Sequence, residues 1–264
     1  MDRQPFGNGN QHRLGERSSL AQWFSTAVGR YALDWERSQF DNAVDDIFGF
    51  RAVQMGLPEV DFLKQNRISF RFTLGLEAQA ALVGDPLQVP LASQSMDLVA
   101  LPHVLEFHTD PHNVLREAER ILRPEGHLVL SGFNTLSLWR LRQFFSPRDA
   151  GAPWDARFIG LLRLRDWLKL LGFELNGGKF GCYAPPFSEE KWLARFKFLE
   201  QAGARWWPIM GGIYVIRAIK RTPRTIIVTP AWRRERARRR ALAAVPQGDG
   251  GAGRMSERKG TVDG

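Results

Sequence analysis

The chain has 264 residues, 44% hydrophobic and 11% aromatic, enough for one substantial core. Its net charge of +9 sits at one end: residues 217–264 carry 13 Lys/Arg against 4 Asp/Glu while residues 1–216 carry 24 of each, so a basic, nucleic-acid-binding body is not implied. A single cysteine, Cys182, excludes an internal disulfide and fits a reducing, cytoplasmic setting; there is no 18-residue apolar window for a membrane span, and the first 17 residues lack a signal-peptide core.

In chain order, residues 1–17 are polar and rich in Gly and Asn, a composition expected to be disordered. Residues 18–37 predict a helix whose apolar stripe is Leu20, Trp23, Phe24, Ala27, Tyr31 and Trp35, packed outside a sheet as a cover or lid. Residues 50–55 predict a first strand that ends at Gly56, residues 58–63 a short crossover helix, and residues 68–74 a second strand with β-type alternation. Residues 96–101 form a short apolar run that suits a buried parallel strand. A helix follows, with Asp110 as N-cap and Pro111 in the first helical position, where a missing N–H costs nothing. Val114, Leu115, Ala118, Ile121 and Leu122 share one of its faces, and Arg116, Glu117, Glu119 and Arg120 cover the other. Arg123-Pro124-Glu125-Gly126 stops that helix, and residues 127–131 form the next strand; a unit of this length requires a right-handed parallel crossover.

Residues 161–171 predict a helix closed by Gly172, and residues 173–175 begin a strand whose antiparallel partner is 213–220. Between those strands lie residues 182–186 and an aromatic helix over 188–201, expected on the substrate side. The sequence thus divides into a disordered start (1–17), one folded domain (18–222) and a basic, largely disordered tail (223–264). The tail contains Arg233, Arg234, Arg236, Arg238, Arg239 and Arg240. Such a run is either a phosphate-contacting arm for nucleic acid or a solvated basic tail.

The densest pattern runs through Asp85, Pro90, Ser95, Asp97 and Val99, then His103, Leu105 and Glu106, then Leu115, Arg116, Glu117, Arg120, Leu122, Pro124 and Gly126. In order and spacing these residues resemble the signature of the class I S-adenosylmethionine-dependent methyltransferases, in the branch with a type 11 domain. A wider likeness, through Trp23-Phe24, Phe48-Gly49-Phe50, Gln54-Met55-Gly56, Gly132-Phe133-Asn134 and Ser137-Leu138-Trp139, is similar to a bacterial and mostly uncharacterised subgroup. The resemblance implies a Rossmann-like α/β fold: a mostly parallel sheet, helices on both faces and an antiparallel C-terminal strand. It also implies S-adenosylmethionine as cofactor and methyl transfer as the activity.

In an open parallel sheet the ligand lies beyond the carboxyl ends of the strands. The expected cofactor contacts are Gln54, Met55 and Gly56 after the first strand, Glu77 after the second, and Asp85, Pro86 and Leu87 in the third loop. By resemblance, Asp85 accepts from the adenine amino group, and Glu77 is the one carboxylate available for ribose hydroxyls. His103 stands beside the reacting centre as candidate base, oriented by Glu106 or His108. A base is required only for a weakly acidic acceptor, because methyl transfer from a sulfonium is chiefly a matter of positioning in a dry pocket. Residues 131–139 are expected to face the pocket, and the nine tryptophans, most of them ordinary core, suggest either an apolar acceptor or a large lid contact. The histidines at 103, 108 and 112 have no standard ligand spacing, so no metal site is expected.

One departure stands out. The family's acidic residue followed by several glycines is here Gln54-Met55-Gly56-Leu57-Pro58-Glu59, with one glycine and no preceding acid. That leaves a second reading open, a non-catalytic binding or regulatory module. A third makes the arginine tail primary and the acceptor RNA.

Overall fold

The computed structural model describes residues 20–145, 153–154, 156–186, 195–196 and 198–221. The chain divides into a unit ending at Pro223 and a second over residues 224–264; the expected disordered termini and arginine run lie outside the described residues. Seven strands form one sheet: β1 (Arg51–Met55), β2 (Phe70–Gly75), β3 (Leu82–Val83), β4 (Met96–Pro102), β5 (Leu122–Phe133), β6 (Phe173–Gly181) and β7 (Ile213–Lys220). Their spatial order is β3-β2-β1-β4-β5-β7-β6. β7 runs antiparallel to both β5 and β6, and the other neighbours pair in parallel. The predicted terminal hairpin is present, with Phe173 opposite Lys220.

Alternation along the central strands sends side chains to two cores. Ala52, Leu98, Ala100 and Val129 face α1 (Ala27–Val44) and the chain from Leu57 to Ile68. Val53, Met55, Val99, Leu101, Leu128 and Leu130 face α2 (Pro111–Ile121) and, through Leu164 and Leu168, α4 (Leu161–Leu170). Helices therefore cover both faces, as strands buried on two sides require. Residues 20–24 are helical as well, and two shorter helices, α3 (Leu138–Phe145) and α5 (Phe198–Trp206), occur together with 3-10 turns at Leu105–Phe107 and Pro208–Met210.

The helix α2 starts as its sequence dictates, with the Asp110 side chain accepting from Asn113 N–H at 3.0 Å and Pro111 in the first turn. It ends at Ile121. Residues 123–126 bulge at the start of β5, whose register against β4 shifts between Met96 and Leu98, and Glu125 takes a left-handed φ of 64°.

Three expectations need correction. The helix predicted over 18–37 is broken: a turn closes at residues 23–26, Thr26 then caps Gly29 N–H at 3.1 Å, and α1 continues to Val44. Gly29 permits the break, because a Cβ there would collide with the Trp23 carbonyl. The buried stripe of α1 is consequently Val28, Ala32, Leu33, Glu36, Phe40 and Val44, while Tyr31 and Trp35 pack on its flank. Residues 58–63 form turns instead of a helix. Asp61 accepts from Leu63 N–H and Asn66 from Ile68 N–H, each at 2.9 Å, so side chains take the backbone donors a helix would need. β3 was not foreseen; two residues are too few to show a period. The helix expected over 188–201 falls largely outside the described residues, and its described continuation, α5, runs on to Trp206. No helix among the described residues is long and apolar enough to cross a membrane.

Candidate functional site

Parallel pairing brings the carboxyl ends of β1, β2, β3 and β4 to one rim. The ladder continues past the strands: Gly56 N–H donates to Leu74 O and Gly84 N–H to Gly75 O, both at 2.8 Å. Gly56 has φ +83°, and a Cβ there would lie 2.9 Å from the Val104 side chain, so this position takes glycine for both backbone and space. Along the same rim are Glu77 and Asp85, two half-buried carboxylates just past the ends of β2 and β3. Asp85 accepts from Leu87 N–H at 2.9 Å and lies 4.0 Å from His108 Nε2; His108 in turn bonds Val104 O through Nδ1 at 2.7 Å. Pro86 is buried and Leu87 half-buried, their loop tied down by Asn113, which donates to Leu87 O.

Gln54 and Met55 are placed differently from the expected cofactor contacts. Met55 points into the core beneath the sheet. The fully buried Gln54 spends its amide on its own loop: Nε2 donates toward the carbonyls of Gly56, Leu57 and Val60 at 3.1, 3.0 and 2.7 Å, and Oε1 accepts from Phe62 N–H at 2.9 Å. The amide thus clips the loop after β1, where the family carries an acid.

At the end of β4, His103 adopts a left-handed φ of 49° and turns its ring into the interior. Its Nδ1 lies 2.9 Å from Glu106 Oε2 and its Nε2 3.3 Å from Glu36 Oε2 on α1. Ser131 bonds Glu36, and Glu106 accepts from Phe133 N–H. Burial opposes charge on the imidazole, but Glu36 and then Glu106 outweigh it and push its pKa up to about 10. Both ring nitrogens of His103 thus face carboxyl groups that favour the protonated imidazole over the neutral form a base requires. Phe24 and Phe133 flank the ring, with the Phe133 centroid 4.2 Å away, and Trp23, Trp139 and Phe158 pack around Phe133. Burial, and then Glu36, pushes the Cys182 thiol well above its ordinary range; burial, and then Glu106, does the same to Tyr214.

Glu36 belongs to this centre and was missed in the sequence, whereas Phe24 was expected on the covering helix and Ser131 on the pocket side. A signal existed: Glu36 is the carboxylate within the apolar stripe of α1. Among the described residues no group of three or more His, Cys, Asp and Glu could hold a metal ion. Beyond Phe133, the chain turns through Asn134, which donates to Ile209 O and Gly211 O at 2.7 and 2.9 Å. There it borders an apolar groove of about 640 Å³ lined by Leu136, Leu138, Leu141, Phe144, Ile209 and Met210.

Residues 60–130 match the family model described as a methyltransferase domain. The chain is 44% identical over 97 residues to the uncharacterised protein YafS of Escherichia coli K12, covering 36% of this chain and 40% of that protein. It is 35% identical over 111 residues to a malonyl-[acyl-carrier protein] O-methyltransferase of Laribacter hongkongensis, covering 42% and 36%. The chain thus spans well under half the length of these curated relatives. Among solved structures, an S-adenosylmethionine-dependent methyltransferase of Thermotoga maritima superposes with a TM-score of 0.54 at 19% identity over 77% of this chain and 96% of that one. The [4+2]-cyclase SpnF does so with the same TM-score at 15% identity over 80% and 96%. S-adenosylmethionine is the cofactor named for the Thermotoga maritima structure, and the rim is compatible with its adenosine half: two carboxylates stand at adjacent strand ends, with glycines at 56, 75 and 84. The loop for its methionine half offers a single glycine and no helix start. This strand order and the methyltransferase-domain match over residues 60–130, from β2 into β5, make the chain similar to the class I S-adenosylmethionine-dependent methyltransferases and give it their fold.

Proposed function

We propose that the chain binds S-adenosylmethionine at the rim of β1 to β4 and transfers its methyl group to a small, apolar acceptor in the cytoplasm. The observation that carries this reading is that two half-buried carboxylates, Glu77 and Asp85, follow the neighbouring strands β2 and β3 on the rim that also carries Gly56. Core packing does not call for carboxylates at strand ends, whereas ribose hydroxyls and an adenine amino group do. The bound cofactor would supply an electrophilic methyl group. The chain would supply a dry wall from Trp23, Phe24 and Phe133. His103, locked between Glu36 and Glu106, would act as a positioning residue that fixes the turn after β4. The groove beyond Phe133 suits an apolar acceptor, and the relatives that methylate malonyl-[acyl-carrier protein] favour an oxygen acceptor carried on an acyl chain.

A specific observation favours the second reading, a binding module without methyl transfer. The Gln54 clip and the buried His103 centre close the region where the family opens for the methionine end, and a [4+2]-cyclase shares the fold. Isothermal titration with S-adenosylmethionine and S-adenosylhomocysteine, followed by transfer of labelled methyl to lipid and acyl-carrier extracts, separates the two. Asp85→Ala is expected to weaken binding by about 1–3 kcal/mol through loss of a partly buried polar contact. Unchanged affinity would remove Asp85 from the site, and absence of binding by the parent chain would overturn the proposal.

A further inference from the structure

We propose that the face formed by α3 and the chain from α5 to β7 docks onto an anionic lipid bilayer. Water-facing side chains gather here: Leu141 and Phe144 on α3, Trp206 and Trp207 at the end of α5, and Ile209 and Met210 in the following turn; Phe144 is 77% exposed and Trp206 70%. The groove between Leu141, Phe144, Ile209 and Met210 makes one continuous surface of the two segments. Scattered apolar residues need no explanation, but a contiguous patch of this kind marks an interaction site.

Charge decides the occupant. Residues 135–145 and 201–212 contain Arg140, Arg142 and Arg205 and no Asp or Glu. The nearest acid in sequence, Glu200, turns inward to Tyr31 and Tyr183 N–H. Segments that carry arginines and no acid, Arg140 and Arg142 lying over the Phe158 and Trp154 rings, together with exposed apolar side chains and tryptophans, match an acidic headgroup layer over acyl chains. A second copy of the chain would set arginine against arginine across a twofold axis. RNA would stack on the aromatic faces but gain nothing from Leu141, Ile209 or Met210. The surplus of positive charge in residues 217–264 acts in the same sense, since it attracts the whole molecule to an anionic surface. The patch adjoins Asn134 and Thr135, at the carboxyl end of β5, so docking would present this part of the rim to the bilayer. The proposal does not depend on cofactor binding.

The test is cosedimentation of the full chain with vesicles of phosphatidylcholine alone or mixed with phosphatidylglycerol. The parent chain is expected to bind the mixed vesicles and to retain part of that binding in about 0.5 M salt, where exposed charges are largely screened. Replacing Leu141, Phe144 and Trp206 together by Gln should weaken binding about tenfold or more through lost apolar insertion, with the far-UV spectrum unchanged because all three are exposed. Arg140→Gln with Arg142→Gln should reduce the preference for phosphatidylglycerol and leave the salt-resistant part in place. Equal binding by the triple variant would assign attachment to the tail and overturn the proposal. So would absence of vesicle binding, preference for single-stranded RNA over vesicles, or a dimer in gel filtration that the triple variant abolishes.

Discussion

Gln54→Glu swaps an amide for the acid the family carries at this position, and the structure makes that exchange costly. The amide nitrogen faces three carbonyl oxygens, of Gly56, Leu57 and Val60, inside a fully buried site. A carboxylate would turn a charged acceptor toward three acceptors, so the group must stay protonated in the folded state. Holding a glutamic acid neutral at pH 7 costs about 3.7 kcal/mol, given an ordinary pKa near 4.3 and about 1.36 kcal/mol per unit. Losing one of two N–H donors adds about 1–3 kcal/mol. The variant is therefore expected to be about 5–7 kcal/mol less stable than the parent at pH 7, a large part of a typical domain's stability. The sign follows from linkage: a carboxyl whose folded pKa is raised adds no penalty below the unfolded pKa and an increasing one as pH rises above it. The gap should thus narrow by about 2.7 kcal/mol between pH 7 and pH 5. Guanidinium unfolding of both proteins at the two pH values measures it. A variant as stable as the parent at pH 7, with no pH-dependent gap, would refute the inferred clip.

The stabilisation from the His103 centre should be fully present below the ordinary histidine pKa of about 6.5 and drain away as pH rises through the folded value of about 10. Melting temperature against pH should fall more steeply above neutrality in the parent than in His103→Gln, and parallel curves would show that the imidazole is neutral in the fold. Gly132→Ala would place a methyl 2.6 Å from the Tyr214 hydroxyl and 3.0 Å from Glu106 Oε1; a loss of about 1–3 kcal/mol is expected from overpacking, and unchanged unfolding would mean Tyr214 can move aside. Asp110→Ala removes the cap on α2 and should cost about 1 kcal/mol in denaturant unfolding, with Asp110→Asn restoring most of it.

Periodicity carried the elements that are long or doubly buried. The run 96–101, the capped helix from Pro111 and the 213–220 strand all appear where apolar spacing places them. Failures came where side chains take over backbone groups, locally at Thr26, Asp61 and Asn66 and at longer range from Gln54 and Asn66. Nothing in residues 58–63 announces that Asn66 donates to Val44 O and Ile47 O, nor that Gln54 reaches Val60. The positions of Glu77 and Asp85 just past strand ends were legible, Asp85 through its place in the resembled signature and Glu77 as the carboxylate after the second strand. The His103 centre was half legible: Glu106 lies three residues away in sequence, but Glu36 arrives from a helix whose phase is set by the break at Thr26.

The absence of helices between β1 and β2 and between β2 and β3 has a thermodynamic consequence. β4, β5 and β7 each have a strand on both sides and a packed core, whereas β3 has two residues, one neighbour and no crossover helix. Amide hydrogens of β2 and β3 should exchange through small, local openings, far below the energy of global unfolding that governs β4 and β5. Glu77 and Asp85 sit in that weakly protected third. A ligand that engages them must tighten it, so slowed exchange at residues 70–91 on adding S-adenosylhomocysteine would report occupancy without any turnover at all.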